Sequence, residues 1–331
     1  MLPLALTIGE PAGIGPEIAL LAWQAAKPKH LAPFVLIGDH QIMALASAQM
    51  GIPIAAVSNS ATALEQFETA LPVLDVPMKA IATLGVPSSA TAQGVIAAID
   101  TAVALTLTGK TRAVVTNPIQ KSALTSGGFA HPGHTEYLAH LAQISGHPAT
   151  PVMMLANDLL RAIPVTVHIA LADVPKQLTS ERIVTTARIA HHDLQTRFGI
   201  AQPRLAISGL NPHAGEAGTM GGEDIAVVEP AVAQLIDEGI DAIGPLPADT
   251  MFHEEARAGY DVALCMYHDQ ALIPVKTLGF HDGVNITLGL PFVRTSPDHG
   301  TALTLAGTGK ARPDSLIAAL RMADQLTSPK P

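Results

Sequence analysis

Three histidines of the chain, His168, His213 and His268, each stand at or just beyond a short apolar run of strand character. His168 lies in Val165-Thr166-Val167-His168, and His213 closely follows the run 204–207, in Gly209-Leu210-Asn211-Pro212-His213-Ala214-Gly215-Glu216. His268 comes directly after the run 262–266. In open α/β sheets ligands gather beyond the carboxyl ends of the strands, so three such imidazoles can converge. Three imidazoles with one open position form a catalytic zinc pattern, which other divalent metals also tolerate. The chain has 14 histidines and the spacing of these three matches no short metal motif, so placement after strands carries the reading. Lys276, Asn285 and Arg294 form a second set, between apolar and glycine-rich segments, suited to a phosphate and a carboxylate. A third is Pro132-Gly133-His134-Thr135-Glu136, just before the helical stretch 137–144. A helix start presents free amides and partial positive charge, so His134 and Thr135 can complete an anion site. The plainer local reading makes Thr135 an N-cap and leaves His134 to solvent.

The elements that must position these residues follow from periodicity. Residues 4–8, 34–37, 113–116, 165–171, 204–207 and 262–266 read as strands; 17–26, 93–108, 181–197 and 224–238 read as helices. Such alternation predicts an α/β fold with a largely parallel sheet. Two glycine-rich segments invite a nucleotide-binding reading and fail it. Gly9-Glu10-Pro11-Ala12-Gly13-Ile14-Gly15-Pro16-Glu17 follows a strand and opens a helix, but Ile18 stands where a dinucleotide fingerprint needs its third glycine. Pro16 instead suits a first helical position, and the glycines a tight turn. Gly307-Thr308-Gly309-Lys310 lacks the remaining residues of a Walker loop, with Thr304 and Ala311 at the positions that matter.

Composition excludes several classes. Hydrophobic residues make up 48% and charged ones 14%, so most side chains need burial, and the low charge suggests that part of the remaining surface is buried against another subunit. With 3% aromatic residues and a formal charge of −9, the chain lacks both the stacking platform and the basic footprint of a nucleic-acid binder. Its single cysteine, Cys265, excludes an intramolecular disulfide and reads as a buried strand residue within Val262-Ala263-Leu264-Cys265-Met266. No basic residue precedes the first apolar run, a poor signal peptide, and charges interrupt the longer apolar stretches. A soluble cytoplasmic protein without nucleic-acid or membrane partners is expected.

Several segments together are specific: Gly9 through Glu17, Gly133-His134-Thr135-Glu136, Leu210 through Glu216, Gly244-Pro245-Leu246-Pro247-Ala248-Asp249-Thr250, Tyr267-His268-Asp269-Gln270, and Asn285 through Thr301. In that order the set resembles the 4-hydroxythreonine-4-phosphate dehydrogenase family of vitamin B6 biosynthesis, over essentially the whole chain. Glu10 departs from the aspartate expected there and keeps the charge. The resemblance implies an isocitrate-dehydrogenase-like fold, not a Rossmann fold, with two α/β lobes, 1–120 plus 290–331 and 121–289, flanking a cleft. It implies a homodimer with the active site at the subunit interface. There His168, His213 and His268 would bind a divalent metal, zinc foremost and magnesium or cobalt as alternatives. His134, Thr135, Lys276, Asn285 and Arg294 would bind a small phosphorylated substrate, and Asp298, His299 and Gly300 would contact NAD or NADP. Asp249 and Asp269 are candidates for the base or for orienting a ligand histidine. The implied reaction oxidises 4-phosphooxy-L-threonine at C3 and decarboxylates the product to 3-amino-2-oxopropyl phosphate. The alternatives are a dehydrogenase of the same family acting on a phosphorylated sugar acid (4-phosphoerythronate or 4-phosphothreonate type), a phosphate-binding acyltransferase, and a non-catalytic metabolite-binding protein.

Overall fold

The computed structural model describes residues 2–328, and the chain divides into two compact units, one of 2–151 with 290–328 and one of Val152–Gly289. The first unit lays down β1 (Leu4–Thr7), β2 (Phe34–Gly38), β3 (Ile54–Val57), β4 (Leu71–Asp75) and β5 (Ala113–Thr116). The second supplies β6 (Val152–Ala156), β7 (Arg161–Pro164), β8 (Arg204–Ser208), β9 (Asp241–Leu246), β10 (Val262–Cys265) and β11 (Val284–Leu288). The chain then returns to the first unit as β12 (Val293–Pro297).

In the first unit the strands stand in the order β3-β4-β2-β1-β5-β12, all parallel. β4 sits between β3 and β2, which is not the strand order of a dinucleotide-binding sheet. Parallel strands are covered on both faces and so read as unbroken apolar runs. Leu4, Leu6, Phe34, Leu36, Val114 and Val115 are accordingly fully buried. Ser89–Leu107 is long and apolar enough to cross a membrane by length and composition. Its helix Ala92–Leu107 packs on β1, β2 and β5, so that length serves the core. Helices Lys121–Ser126 and His134–Ile144, expected in the other lobe, fall within this unit. Gln93 Nε2 donates to Gly127 O and the Tyr137 hydroxyl to Asp100, which ties both helices to Ala92–Leu107.

The second unit orders its strands β11-β6-β7-β10-β8-β9. β7, β10, β8 and β9 run parallel, and β6 is antiparallel to both β7 and β11. Its core gathers Leu155, Ala162, Ala206, Ala263, Leu272 and Val275. Cys265 belongs to that core, and burial pushes its thiol up to about 12, leaving it inert.

Two expected elements need correction. Residues 165–171 form no strand, because the strand ends at Pro164. Val165 N–H still bonds Cys265 O and Thr166 bonds Met266 O, after which the chain turns out of line and His168 takes a φ of 24°. Residues 224–238 form a π-turn, Asp224–Val228, followed by helix Glu229–Asp237. Pro230 lacks the N–H that would continue one regular helix through this point.

Candidate active-site residues

In the first unit, helix His134–Ile144 opens on Gly133, an N-cap with no side chain to satisfy the first-turn amides. Thr135 therefore lies inside the helix and is not the cap. Arg294, on β12, is only 3% exposed. Its guanidinium donates to Thr116 Oγ1 at 2.6 Å, at the end of neighbouring β5. Burial lowers Arg294 to about 10, which leaves it a cation at neutral pH. His134 is partly buried, and its Nε2 has no partner within the protein. Burial holds its pKa well below the ordinary histidine range, and repulsion from Arg294 and Lys121 lowers it further. Lys121 opens helix Lys121–Ser126, and a Cβ built on Gly133 would stand 3.6 Å from its ammonium. An uncapped helix start with an arginine, a lysine and an imidazole around it offers donors to an anion, although Glu136 Oε2 stands at 3.4 Å from the same built Cβ.

The depressed His134 pKa has a consequence for stability. Below the ordinary value of 6.5 the unfolded chain takes up a proton that the folded chain refuses. Stability therefore falls as pH drops below that value, by at most about 1.4 kcal/mol per pH unit. The acid slope of Tm is expected to be shallower in His134→Gln than in the wild type. Saturating inorganic phosphate should flatten the wild-type slope too, by favouring the imidazolium. Equal slopes in both proteins would remove His134 from this account.

In the second unit, β7, β10 and β8 are adjacent and parallel, so their carboxyl ends leave one edge of the sheet. His168, His268 and His213 follow those three ends. The rings of His168 and His268 are 5.7 Å apart between centroids, and both line a cavity of about 250 Å³ with Thr166, Tyr267 and Asp269. Asp269 Oδ1 lies 2.7 Å from His268 Nδ1. A carboxylate there fixes the proton on Nδ1 and leaves Nε2 as the free lone pair, which is how an outer carboxylate orients a metal-binding imidazole. Gln270 ties the strand ends together: its Oε1 accepts from Ser208 Oγ and Met266 N–H, and its Nε2 donates to Gly209 O.

His213 leaves the same edge but is not part of that cavity lining. Among the described residues no group of three His, Cys, Asp or Glu side chains is placed to hold a metal ion. One chain thus brings together two of the three expected ligands. At metal–nitrogen distances of about 2.0–2.1 Å two such imidazoles fit one divalent ion that takes its other donors elsewhere. His213 begins six successive residues with positive φ, of which Gly215 and Gly218 are glycines. For the other four this backbone costs about 1–2 kcal/mol per residue, so something must hold it; such strain concentrates at functional sites.

The remaining expected residues are divided between the units. Lys276 is partly buried in helix His268–Leu278, and Asn285 stands on β11 with a buried Oδ1 that has no partner, both in the second unit. Asp249 is exposed in the turn Ala248–Thr250, which packs against the His213 turn. Asp298, His299 and Gly300 follow β12 in the first unit. His299 Nδ1 donates to Gly300 O while its buried Nε2 has no partner, leaving an acceptor to spare. The glycine-rich turn after β1 pins this segment: Ile14 N–H bonds Thr301 O, and Glu17 accepts from Gly307 N–H. A Cβ on Gly13 would lie 2.6 Å from Thr301 O, so glycine is needed there for close backbone approach. Lys121 and Asp224 were not singled out by sequence. Each reaches its partners only through the fold, and no local motif marks either one.

An α/β chain with a buried arginine, a lysine and an imidazole near one uncapped helix start, and paired imidazoles beyond the carboxyl ends of parallel strands, has groups suited to an enzyme acting on an anionic metabolite. The family model for the pyridoxal phosphate biosynthetic protein PdxA matches residues 29–323. The chain belongs to that family. A 4-hydroxythreonine-4-phosphate dehydrogenase of Methylorubrum extorquens is 59% identical, over 98% of this chain and 94% of its own. Among solved structures, a 4-hydroxythreonine-4-phosphate dehydrogenase from Klebsiella pneumoniae superposes with a TM-score of 0.88 at 37% identity, over 99% of this chain and 100% of its own. A terephthalate 1,2-cis-dihydrodiol dehydrogenase from Burkholderia xenovorans gives a TM-score of 0.66 at 30% identity, over 98% of both chains.

Proposed function

We propose that this enzyme oxidises 4-phosphooxy-L-threonine at C3 with NAD or NADP, as the names of its full-length relatives indicate. The observation that carries this reading is the anion pocket of Arg294, His134 and Lys121 at an uncapped helix start, which suits a phosphate monoester. The dihydrodiol dehydrogenase shows that substrates named without a phosphate occur on this fold; a pocket so cationic has little use for one.

In the reaction the C3–H bond breaks as hydride leaves for the nicotinamide, and the hydroxyl proton goes to a base. The resulting ketone lies β to the carboxylate. The C1–C2 bond then releases carbon dioxide, its electrons pass into the ketone, and protonation at C2 gives 3-amino-2-oxopropyl phosphate. His134, Thr135 and Arg294, with Lys276 and Asn285, would hold the phosphate and carboxylate away from the reacting carbon, and that remote binding fixes orientation at C3. His168 and His268, joined by His213, would hold a divalent metal, zinc first; such an ion supplies Lewis-acid polarisation of the C3 oxygen. Asp269 orients His268, which leaves Asp249 as the candidate base. His299 would offer its spare acceptor to the dinucleotide.

The third imidazole is best supplied by a second copy of the chain, with the site completed in a homodimer. Leu171, Ile273 and Phe280 of the second unit are 68%, 62% and 73% exposed, and a partner subunit would cover such apolar side chains. NADH formation from 4-phosphooxy-L-threonine, measured before and after chelation and with metal restored, tests the reading. Activity lost on chelation and regained with zinc, magnesium or cobalt supports it, and turnover indifferent to chelation sinks the metal. Parallel assays with 4-phosphoerythronate and 4-phosphothreonate separate the sugar-acid reading.

A further inference from the structure

We propose that Asp224 is a positioning residue that holds the left-handed His213 turn in the shape needed to present the His213 imidazole as a ligand. The inference rests on the reading of His213 as a metal ligand and adds the group that makes it one. Asp224 is fully buried, at the first residue of a π-turn, a helical irregularity frequent at functional sites. Its Oδ1 accepts from Leu210 N–H at 2.7 Å, and its Oδ2 accepts from Asn211 N–H at 3.1 Å and from the Asn211 side-chain amide at 3.0 Å. Every one of these donors belongs to the two residues that lead through Pro212 to His213.

The turn closes around the same carboxylate. A Cβ on Gly209 would lie 2.9 Å from Asp224 Oδ1, and one on Gly215 would lie 3.1 Å from Oδ2. Gly209 and Gly215 therefore stand on either side of His213 with their Cα hydrogens facing one buried anion. Asn211 is gripped a second time, by Glu223 Oε2 at 2.9 Å. Among the described residues no ion pair includes Asp224, so its charge is balanced by backbone and amide donors of this loop. A buried carboxylate satisfied in that way is strongly directional. It fixes the entry to six residues of positive φ that would otherwise relax to right-handed conformations and swing His213 away.

The test uses the intact enzyme and cobalt as the metal probe, followed by the visible absorption of the bound ion. Asp224→Asn, which puts an amide donor against backbone donors, is expected to weaken cobalt affinity by about 10–100-fold, the range for residues that orient metal ligands. Amide exchange across 209–221 should rise in this variant, and Asp224→Glu, which restores a carboxylate, should recover part of the affinity. Should Asp224→Asn not fold, Asn211→Ala removes one of the three bonds and is expected to weaken cobalt in the same direction, less strongly. His213→Ala separates the two ideas. Wild-type cobalt affinity in His213→Ala overturns the ligand reading itself. Loss in His213→Ala with wild-type affinity in Asp224→Asn, or in Asn211→Ala where that variant stands in, overturns the positioning role alone.

Discussion

Arg294→Met is expected to lower kcat/KM for 4-phosphooxy-L-threonine by about 10²–10³-fold, the scale of truncating one partner of a buried charged contact. Tm should stay close to the wild-type value or rise. The two halves of this expectation have one cause. Arg294 is a guanidinium only 3% exposed on β12, bonded to Thr116 on the neighbouring parallel strand. Burial alone lowers its pKa to about 10, a sign that the folded protein holds this charge against its solvation. An apolar side chain of similar length releases that penalty, so replacing a buried charge is often neutral or stabilising. On the proposed reading the arginine would serve the ligand more than the fold. Arg294→Lys should fall between the two, since an ammonium keeps the charge and loses the planar fork. Unphosphorylated 4-hydroxythreonine provides the control, because its slow turnover should hardly respond to either change. A wild-type kcat/KM in Arg294→Met would remove the residue from the anion pocket.

The regions most legible in sequence are those where periodicity and burial agree. The runs at β1, β2, β5, β8 and β10 are dominated by apolar residues because both faces of a parallel sheet are covered, and five expected strands lie there. β11 and β12, written VNITL and VRTSP, have no such signature. Asn285 and Thr287 on β11, and Arg294, Thr295 and Ser296 on β12, interrupt the apolar run that would have revealed each strand. The His213 turn was hidden for a related reason. Asn-Pro-His-Ala-Gly-Glu-Ala-Gly contains two glycines where six residues take positive φ, and the stabilising carboxylate lies beyond it at Asp224. Lys121 reaches the anion pocket only because its helix and His134–Ile144 both pack on Ala92–Leu107. In each case local chemistry was readable and the tertiary contact was not.

The paired imidazoles lead to the second large effect. His213→Ala and His268→Ala should each abolish turnover and metal binding while leaving the chain folded, since neither side chain belongs to the buried hydrophobic core. The informative experiment mixes them. Within one chain His168 and His268 meet and His213 does not complete the set, so on the proposed homodimer reading His213 would come from one subunit and the pair from the other. Co-refolding equal amounts of the two inactive variants makes half of the dimers mixed. In each mixed dimer one site inherits all three histidines and the other inherits none of the missing ones. Activity and bound metal should then return to roughly a quarter of the wild-type level, as two-fold symmetry requires. His168→Ala mixed with His268→Ala should stay inactive, because both defects fall on the same side of every site. Recovery in that second mixture would place His168 and His268 in different sites. Failure of the first mixture, with mixed dimers shown to form, would return His213 to its own chain and require the His213 turn to move before metal can bind.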